Sequence, residues 1–175
     1  MLDWANTIVA KHPEHLVIVL THAYINAAKS RNTNGGVKPE GNTGEQVWQK
    51  FVYKHKNIFM VLCGHHAGEA LRTDIGEHGN KVHQILCDYQ HLHNGGESWL
   101  RYMVFNPNEN KVSVYTYNPV LDKFNSGKSS RFDLDYPMVN NSPARPQIRR
   151  ANDTDTSTDQ LITFQKFRSS EDGSG

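Results

Sequence analysis

Three rhythms of apolar and polar residues follow one another along this chain. Residues 2 to 12 place Leu2, Ala5, Ile8, Val9 and His12 at helical spacing and stop at Pro13, which predicts a short amphipathic helix. Residues 16 to 22, LVIVLTH, are a continuous apolar run, too short for a helix and rich in β-branched side chains. Such a run predicts a strand buried on both faces. Residues 23 to 43 carry no sustained period and predict a long loop, of the length that usually serves function. Thr43, with Gln46 three residues on, has the form of a capping box and opens a second helix striped by Val47, Trp48, Phe51 and Val52. Residues 58 to 65, IFMVLCGH, then predict a second fully buried strand. A strand, a helix and a strand in that order imply a parallel pair, because the crossover is helical.

The rhythm changes after Arg72. Residues 82 to 88, 99 to 105 and 111 to 117 read as strands, the last two joined by the turn Asn106-Pro107-Asn108-Glu109-Asn110. Residues 131 to 136 predict an edge strand ended by Pro137. The expected fold is α/β, with a parallel-type N-terminal half and an antiparallel C-terminal half, over residues 1 to 138. From Val139 onward the sequence is polar and interrupted by proline, so 139 to 175 is expected to be a disordered tail or linker, with residues 161 to 167 as a stray strand. That tail carries Asn-x-Ser/Thr triplets at Asn140 and Asn152, which matter only in a secreted protein.

Composition narrows the functional classes. Among 175 residues, 19 Lys and Arg stand against 18 Asp and Glu, a formal charge of +1, which gives no electrostatic reason to expect nucleic acid or an anionic membrane as partner. No apolar run approaches the roughly 20 residues of a membrane helix. The first residues lack the basic, apolar and small-residue segments of a signal peptide. The sequence therefore leaves the compartment open. Two cysteines, Cys63 and Cys87, do not make a disulfide scaffold. The count that departs from the ordinary is ten histidines.

Two of those histidines follow the two apolar strands directly. His22 and His65 would share one rim if the strands are parallel neighbours, since ligands gather at the carboxyl ends of strands in open α/β sheets. Gly64 before His65 permits close approach. Neutral imidazoles on rigid strand ends are good ligands for Zn, Mn or Fe, yet two of them make half a site. The plainer alternative is that each ends a strand with a hydrogen bond. His91 and His93 form an HxH pair in a Gly-rich segment that reads as a solvated loop. Arg72 could steady a phosphate, although a surface pair with Glu69 is the simpler reading. Cys63 reads as a buried hydrophobe. His12, His15, His55, His78 and His83 show no convergence and read as surface or packing residues.

The segments THAYI at 21 to 25, NIFMVLCGHHAGEALRT at 57 to 73, VHQILCDYQ from 82, and GGESWLRYMVFNP up to 107 resemble the C-terminal half of calcineurin-like metallophosphoesterases. VSVYTYNP and RFDLDYPM resemble the branch in which a Trp-bearing helix precedes the first His strand, as Trp4 does here. The resemblance implies an αββα sandwich of two sheets flanked by helices, of which residues 2 to 138 would be part. It also implies a binuclear centre of Mn, Fe or Zn that hydrolyses phosphate esters with metal-activated water. It matches His22 to a strand-terminal ligand of the second metal and His65 to the first His of the GHxH motif. Asp88, Tyr89 and Gln90, with Arg72, would line the substrate pocket.

The sequence departs from that pattern twice. The second His of GHxH falls on Ala67, and His66, one residue early, is expected to point to the opposite face of an extended backbone. The motifs DxH, GDxxD and GNH[DE], which carry the bridging carboxylate, the Asn ligand and the leaving-group acid, do not occur. The expectation is therefore a C-terminal fragment of a phosphoesterase, inactive or nearly so alone. The alternatives are a non-catalytic binding or assembly module on a similar scaffold, or a mononuclear metal binder.

Overall fold

The computed structural model describes residues 1 to 33 and 41 to 138. The expected tail, with both Asn-x-Ser/Thr triplets and the stray strand, lies outside the described residues, as does part of the long loop. The described elements run α1 (Leu2–Ala10), β1 (Val17–Leu20), α2 (Gly44–Lys50), β2 (Ile58–Cys63), β3 (Gly68–Ile75), β4 (Lys81–Asp88), β5 (Leu100–Asn106), β6 (Lys111–Asn118), β7 (Lys123–Asn125) and β8 (Phe132–Asp135). This is a mixed α/β chain with two four-stranded sheets and few helices.

The first sheet has the order β1-β2-β4-β3. β1 pairs parallel with β2, and β2 parallel with β4, while β3 runs antiparallel to β4. In the second sheet β6 is central: β5 takes one of its edges, and β7 and β8 share the other. One cluster joins Val61, Cys63, Val82 and Leu86 to Val9, Trp48, Phe51 and Val52 of the helical layer. The other joins Met60, Leu62 and Ile85 to Val112, Val114, Met103 and Leu134 of the second sheet. Alternate residues of β2 and β4 thus feed two different cores, the pattern expected of central strands covered on both sides.

Local chemistry explains the helix that precedes β2. The Thr43 hydroxyl accepts from the amide of Gln46 at 3.1 Å, and the Thr43 amide donates to Gln46 Oε1 at 3.0 Å, the reciprocal capping box expected at that position.

Several expectations need correction. β1 is not buried on both faces. It is an edge strand whose Val17 and Val19 pack on the helical side, while Ile18 and Leu20 are exposed, Leu20 by 82%. Its apolar run resembles that of β2, but sheet position, which a single run does not encode, decides burial. β3 was not anticipated, because GEALRTDI lacks a clean alternation. The strand over residues 82 to 88 belongs not to the antiparallel half but to the first sheet, between β2 and β3. Helices cover one face of the first sheet, whereas the outer face of the second sheet carries no long helix among the described residues and leaves Leu100, Tyr102, Val104 and Phe124 exposed.

Candidate functional site

Because β1, β2 and β4 are parallel neighbours, their carboxyl ends form one rim. The chain leaves them at Thr21-His22, at Gly64-His65-His66 and at Asp88-Tyr89-Gln90. Backbone bonds tie these exits together. The Thr21 amide donates to Leu62 O at 3.0 Å and the Gly64 amide to His22 O at 2.9 Å, so both exits continue the ladder past the strands.

The two predicted imidazoles meet at this rim, with ring centroids 4.6 Å apart and planes at 53°. A ligating nitrogen about 2.1 Å from an ion sets its ring centroid about 3.2 Å away, so two rings on adjacent corners of a coordination sphere have centroids about 4.5 to 5.3 Å apart. The observed separation falls in that range.

His65 is held in an uncommon backbone. Its φ is +67°, and the His66 amide donates to Gly64 O at 2.8 Å across it, which makes a γ-turn centred on a non-glycine residue. This form of γ-turn is rare and strained, and strain of this kind concentrates at functional sites. The turn also corrects the reading of His66. The backbone here is not extended, so its ring does not point away but lies 5.1 Å from that of His65. His66 Nε2 is buried without a hydrogen-bond partner among the described residues. A buried nitrogen left unpaired is costly unless something outside the chain satisfies it.

Asp88 and Gln90 join the rim and Tyr89 does not. A Cβ added to Gly64 would lie 3.5 Å from Asp88 Oδ2, so the carboxylate rests against that glycine. Gln90 donates through Nε2 to His65 O at 3.3 Å, and its amide donates to Asp88 Oδ1 at 3.0 Å. The Tyr89 hydroxyl instead donates inward to Glu69, within a buried network. Glu69 there also accepts from Arg101, Thr116 and Ser130. Burial and the Glu69 hydrogen bond push the Tyr89 phenol well above its ordinary range.

The expected surface pair of Arg72 and Glu69 does not form. Three positions apart on a strand, the two side chains take opposite faces. Arg72 donates to Asp74 Oδ2 at 2.6 Å and to Lys29 O at 3.0 Å. Burial works against ionisation of Asp74, yet hydrogen bonds from Arg72 and Gln84 and the charge of Arg31 outweigh it and hold the carboxyl below its usual range. The Arg72 fork is thus already taken up within the chain. Burial pushes the Cys63 thiol up to about 11, in keeping with a packing role. His91 and His93 are exposed.

One convergence was missed. His12 and His15, read as unrelated, lie with Glu14 in a group whose metal-type ligand atoms all fall within 4.8 Å of one another. The signal available was the turn His12-Pro13-Glu14-His15, which folds back on itself after the helix. This group lies at the opposite end of the sheet, before β1. There a cleft of about 750 Å³ is lined by Glu14, Lys56, Asn57, Lys81, Asp135 and Tyr136, among others. The strand-end histidines do not line this cleft.

No protein-family model matches the chain. Over 129 residues it is 32% identical to the uncharacterized protein YvnB of Bacillus subtilis (strain 168). That match takes in 70% of this chain but only 9% of the length of YvnB. Among the described residues no helix is long and apolar enough to cross a membrane.

Proposed function

We propose that the rim of His22 and His65 is part of a divalent-metal centre of the calcineurin-like phosphoesterase type, and that the chain serves phosphate-ester hydrolysis. One observation carries the reading: two imidazoles from separate strand ends lie 4.6 Å apart at the carboxyl end of a parallel sheet. The unpaired His66 Nε2 and the Asp88 carboxylate beside Gly64 give it further support. Mn, Fe and Zn all accept imidazole and carboxylate donors. When bound, such an ion lowers the pKa of a water and draws charge from a phosphoryl oxygen.

The residues of this chain have a narrower task. His22 and His65 present their ring nitrogens, the γ-turn fixes the direction of the second ring, and Gln90 steadies the His65 carbonyl. Asp88 brings negative charge to the rim. Among the described residues, the trio of donors within 4.8 Å lies elsewhere, so this rim does not complete a coordination sphere alone. The carboxylates that the family resemblance assigns to DxH, GDxxD and GNH[DE] are not in the 175-residue sequence. By itself, then, this stretch binds metal and turns over esters feebly.

The test combines binding with turnover. The chain is titrated with Mn²⁺ by calorimetry and assayed with a chromogenic phosphodiester and monoester. Metal uptake that falls in His22→Ala and His65→Ala supports the centre, and uptake indifferent to both removes it. Robust, EDTA-sensitive hydrolysis by the 175 residues would overturn the expectation of feeble turnover. Ala67, exposed where the GHxH motif has its second His, favours a second reading, a binding or assembly module that has kept the scaffold. Mn²⁺ uptake without any hydrolysis, even when a segment carrying the three missing motifs is supplied, selects that reading.

A further inference from the structure

At the opposite end of the first sheet, between α1 and β1, the chain makes the turn His12-Pro13-Glu14-His15. All four side chains are exposed. Its two imidazoles stand edge to face with centroids 5.4 Å apart, and His15 Nδ1 lies 2.8 Å from Glu14 Oε1. The ligand atoms of His12, Glu14 and His15 all lie within 4.8 Å of one another. A tetrahedral ion with bonds of about 2.0 to 2.2 Å holds its donors roughly 3.3 to 3.6 Å apart, so small rotamer changes in three solvent-facing side chains close the gap.

The backbone beneath them is fixed. The His15 amide donates to His12 O at 3.1 Å, which closes the turn, and Pro13 restricts its φ. Buried Asn57 donates through Nδ2 to His12 O at 2.9 Å and to His15 O at 3.1 Å, and so holds both ligand-bearing carbonyls from below. The ligand-bearing residues therefore start from one arrangement, and binding orders only side-chain torsions.

We propose that His12, Glu14 and His15 form a second metal site, selective for a borderline transition ion of the Zn²⁺, Ni²⁺ or Cu²⁺ class and separate from the rim of His22 and His65. Two nitrogens and one carboxylate oxygen are the donor set for these ions rather than for Mg²⁺ or Ca²⁺, which require mostly oxygen. Three protein ligands leave at least one coordination position to water. The site is independent of the phosphoesterase reading. β1 separates the two groups, and its four residues span roughly 13 Å.

The experiment is equilibrium dialysis of the full chain against Zn²⁺ at neutral pH, with folding checked by circular dichroism. A His22→Ala/His65→Ala chain silences the rim and is expected to retain one zinc. Adding His12→Ala and His15→Ala weakens the remaining binding at least ten-fold, and Glu14→Gln weakens it to a smaller extent. Since the ligands are exposed, these variants fold. A Cu²⁺ spectrum with nitrogen hyperfine structure in the rim-silenced chain, lost with His12 and His15, identifies the donors independently. Zinc affinity unchanged by the His12 and His15 substitutions, or absent from the rim-silenced chain, overturns the proposal. Failure of the rim itself is read separately, as a loss of the effect of His22→Ala on Mn²⁺ uptake.

Discussion

The imidazole of His22, at the end of β1, stands 4.6 Å from that of His65, at the end of β2. Parallel pairing of those strands brings the rings together: Leu20 registers with Leu62, and each chain then runs on to its histidine. An ion bound by both rings in the native state alone must stabilise the fold. At one hundred times its dissociation constant the gain is about 2.7 kcal/mol. In a His12→Ala/His15→Ala chain, Mn²⁺ is expected to raise the thermal midpoint, and adding His22→Ala to remove most of that rise. Differential scanning fluorimetry with and without EDTA measures it.

The γ-turn at His65 gives a prediction in which stability and binding move in opposite directions. A non-glycine residue at a φ of +67° carries a steric cost of roughly 1 to 2 kcal/mol that glycine avoids. His65→Gly is therefore expected to be more stable to urea than His65→Ala by about 1 kcal/mol, with metal uptake equally impaired in both. Equal stability of the two variants would show that the turn is not held against this cost.

Acid should weaken the fold through His83. This ring is 5% exposed, contacts the Thr73 hydroxyl at 2.9 Å, and has its pKa lowered below 6.5, first by burial and then by the charge of Lys81. The unfolded chain then takes up the proton more readily than the native one. Stability is accordingly full above about pH 6.5 and falls as the pH drops from there through the lowered native value. His55, also lowered by burial, adds to the same slope. Urea midpoints measured from pH 7.5 to pH 5 are expected to decline, and His83→Gln to flatten the decline.

Between the two sheets, Glu69 accepts from Arg101, Tyr89, Thr116 and Ser130, with the Arg101 side chain 5% and the Glu69 side chain 14% exposed. Removing one partner strands the other as a buried charge, which costs about 3 to 5 kcal/mol. Glu69→Ala is expected to lose that much in urea unfolding, and Arg101→Met/Glu69→Leu together to lose less than either single truncation. A double variant as unstable as the sum of both would argue against a coupled pair.

Which parts of this architecture the sequence could show follows from what a local pattern encodes. The apolar runs ending in His22 and His65, the helical stripe behind the Thr43 box and the pairing of β5 with β6 are local or near-local features, and each was legible. The position of a strand in its sheet is not local. The run that became β1 reads like that of β2, yet β1 sits at the edge and exposes Leu20. β4 is followed in sequence by antiparallel strands, and its local pattern groups it with them although its parallel partner is β2. At the rim the two ring positions were legible, but the place of His66 depended on a γ-turn that breaks the alternation from which its direction was inferred. The partners of Glu69, at Tyr89 just after β4, on β5 and β6 and at Ser130, are brought together only by stacking the sheets.

Leu20 supplies the last prediction. It is 82% exposed on an edge strand, beside Ile18 at 41%, and β1 pairs on one side only among the described residues. An open edge that also presents apolar side chains is a template for intermolecular strand pairing, and a charged residue there is the usual natural remedy. A side chain this exposed contributes little to the native core, so Leu20→Lys is expected to leave the urea midpoint of the chain within about 0.5 kcal/mol of its starting stability. The same substitution is expected to lower light scattering and high-mass species in size-exclusion chromatography at high protein concentration. If scattering is unchanged while stability holds, association does not run through this edge. If stability instead falls by several kcal/mol, Leu20 is covered in solution.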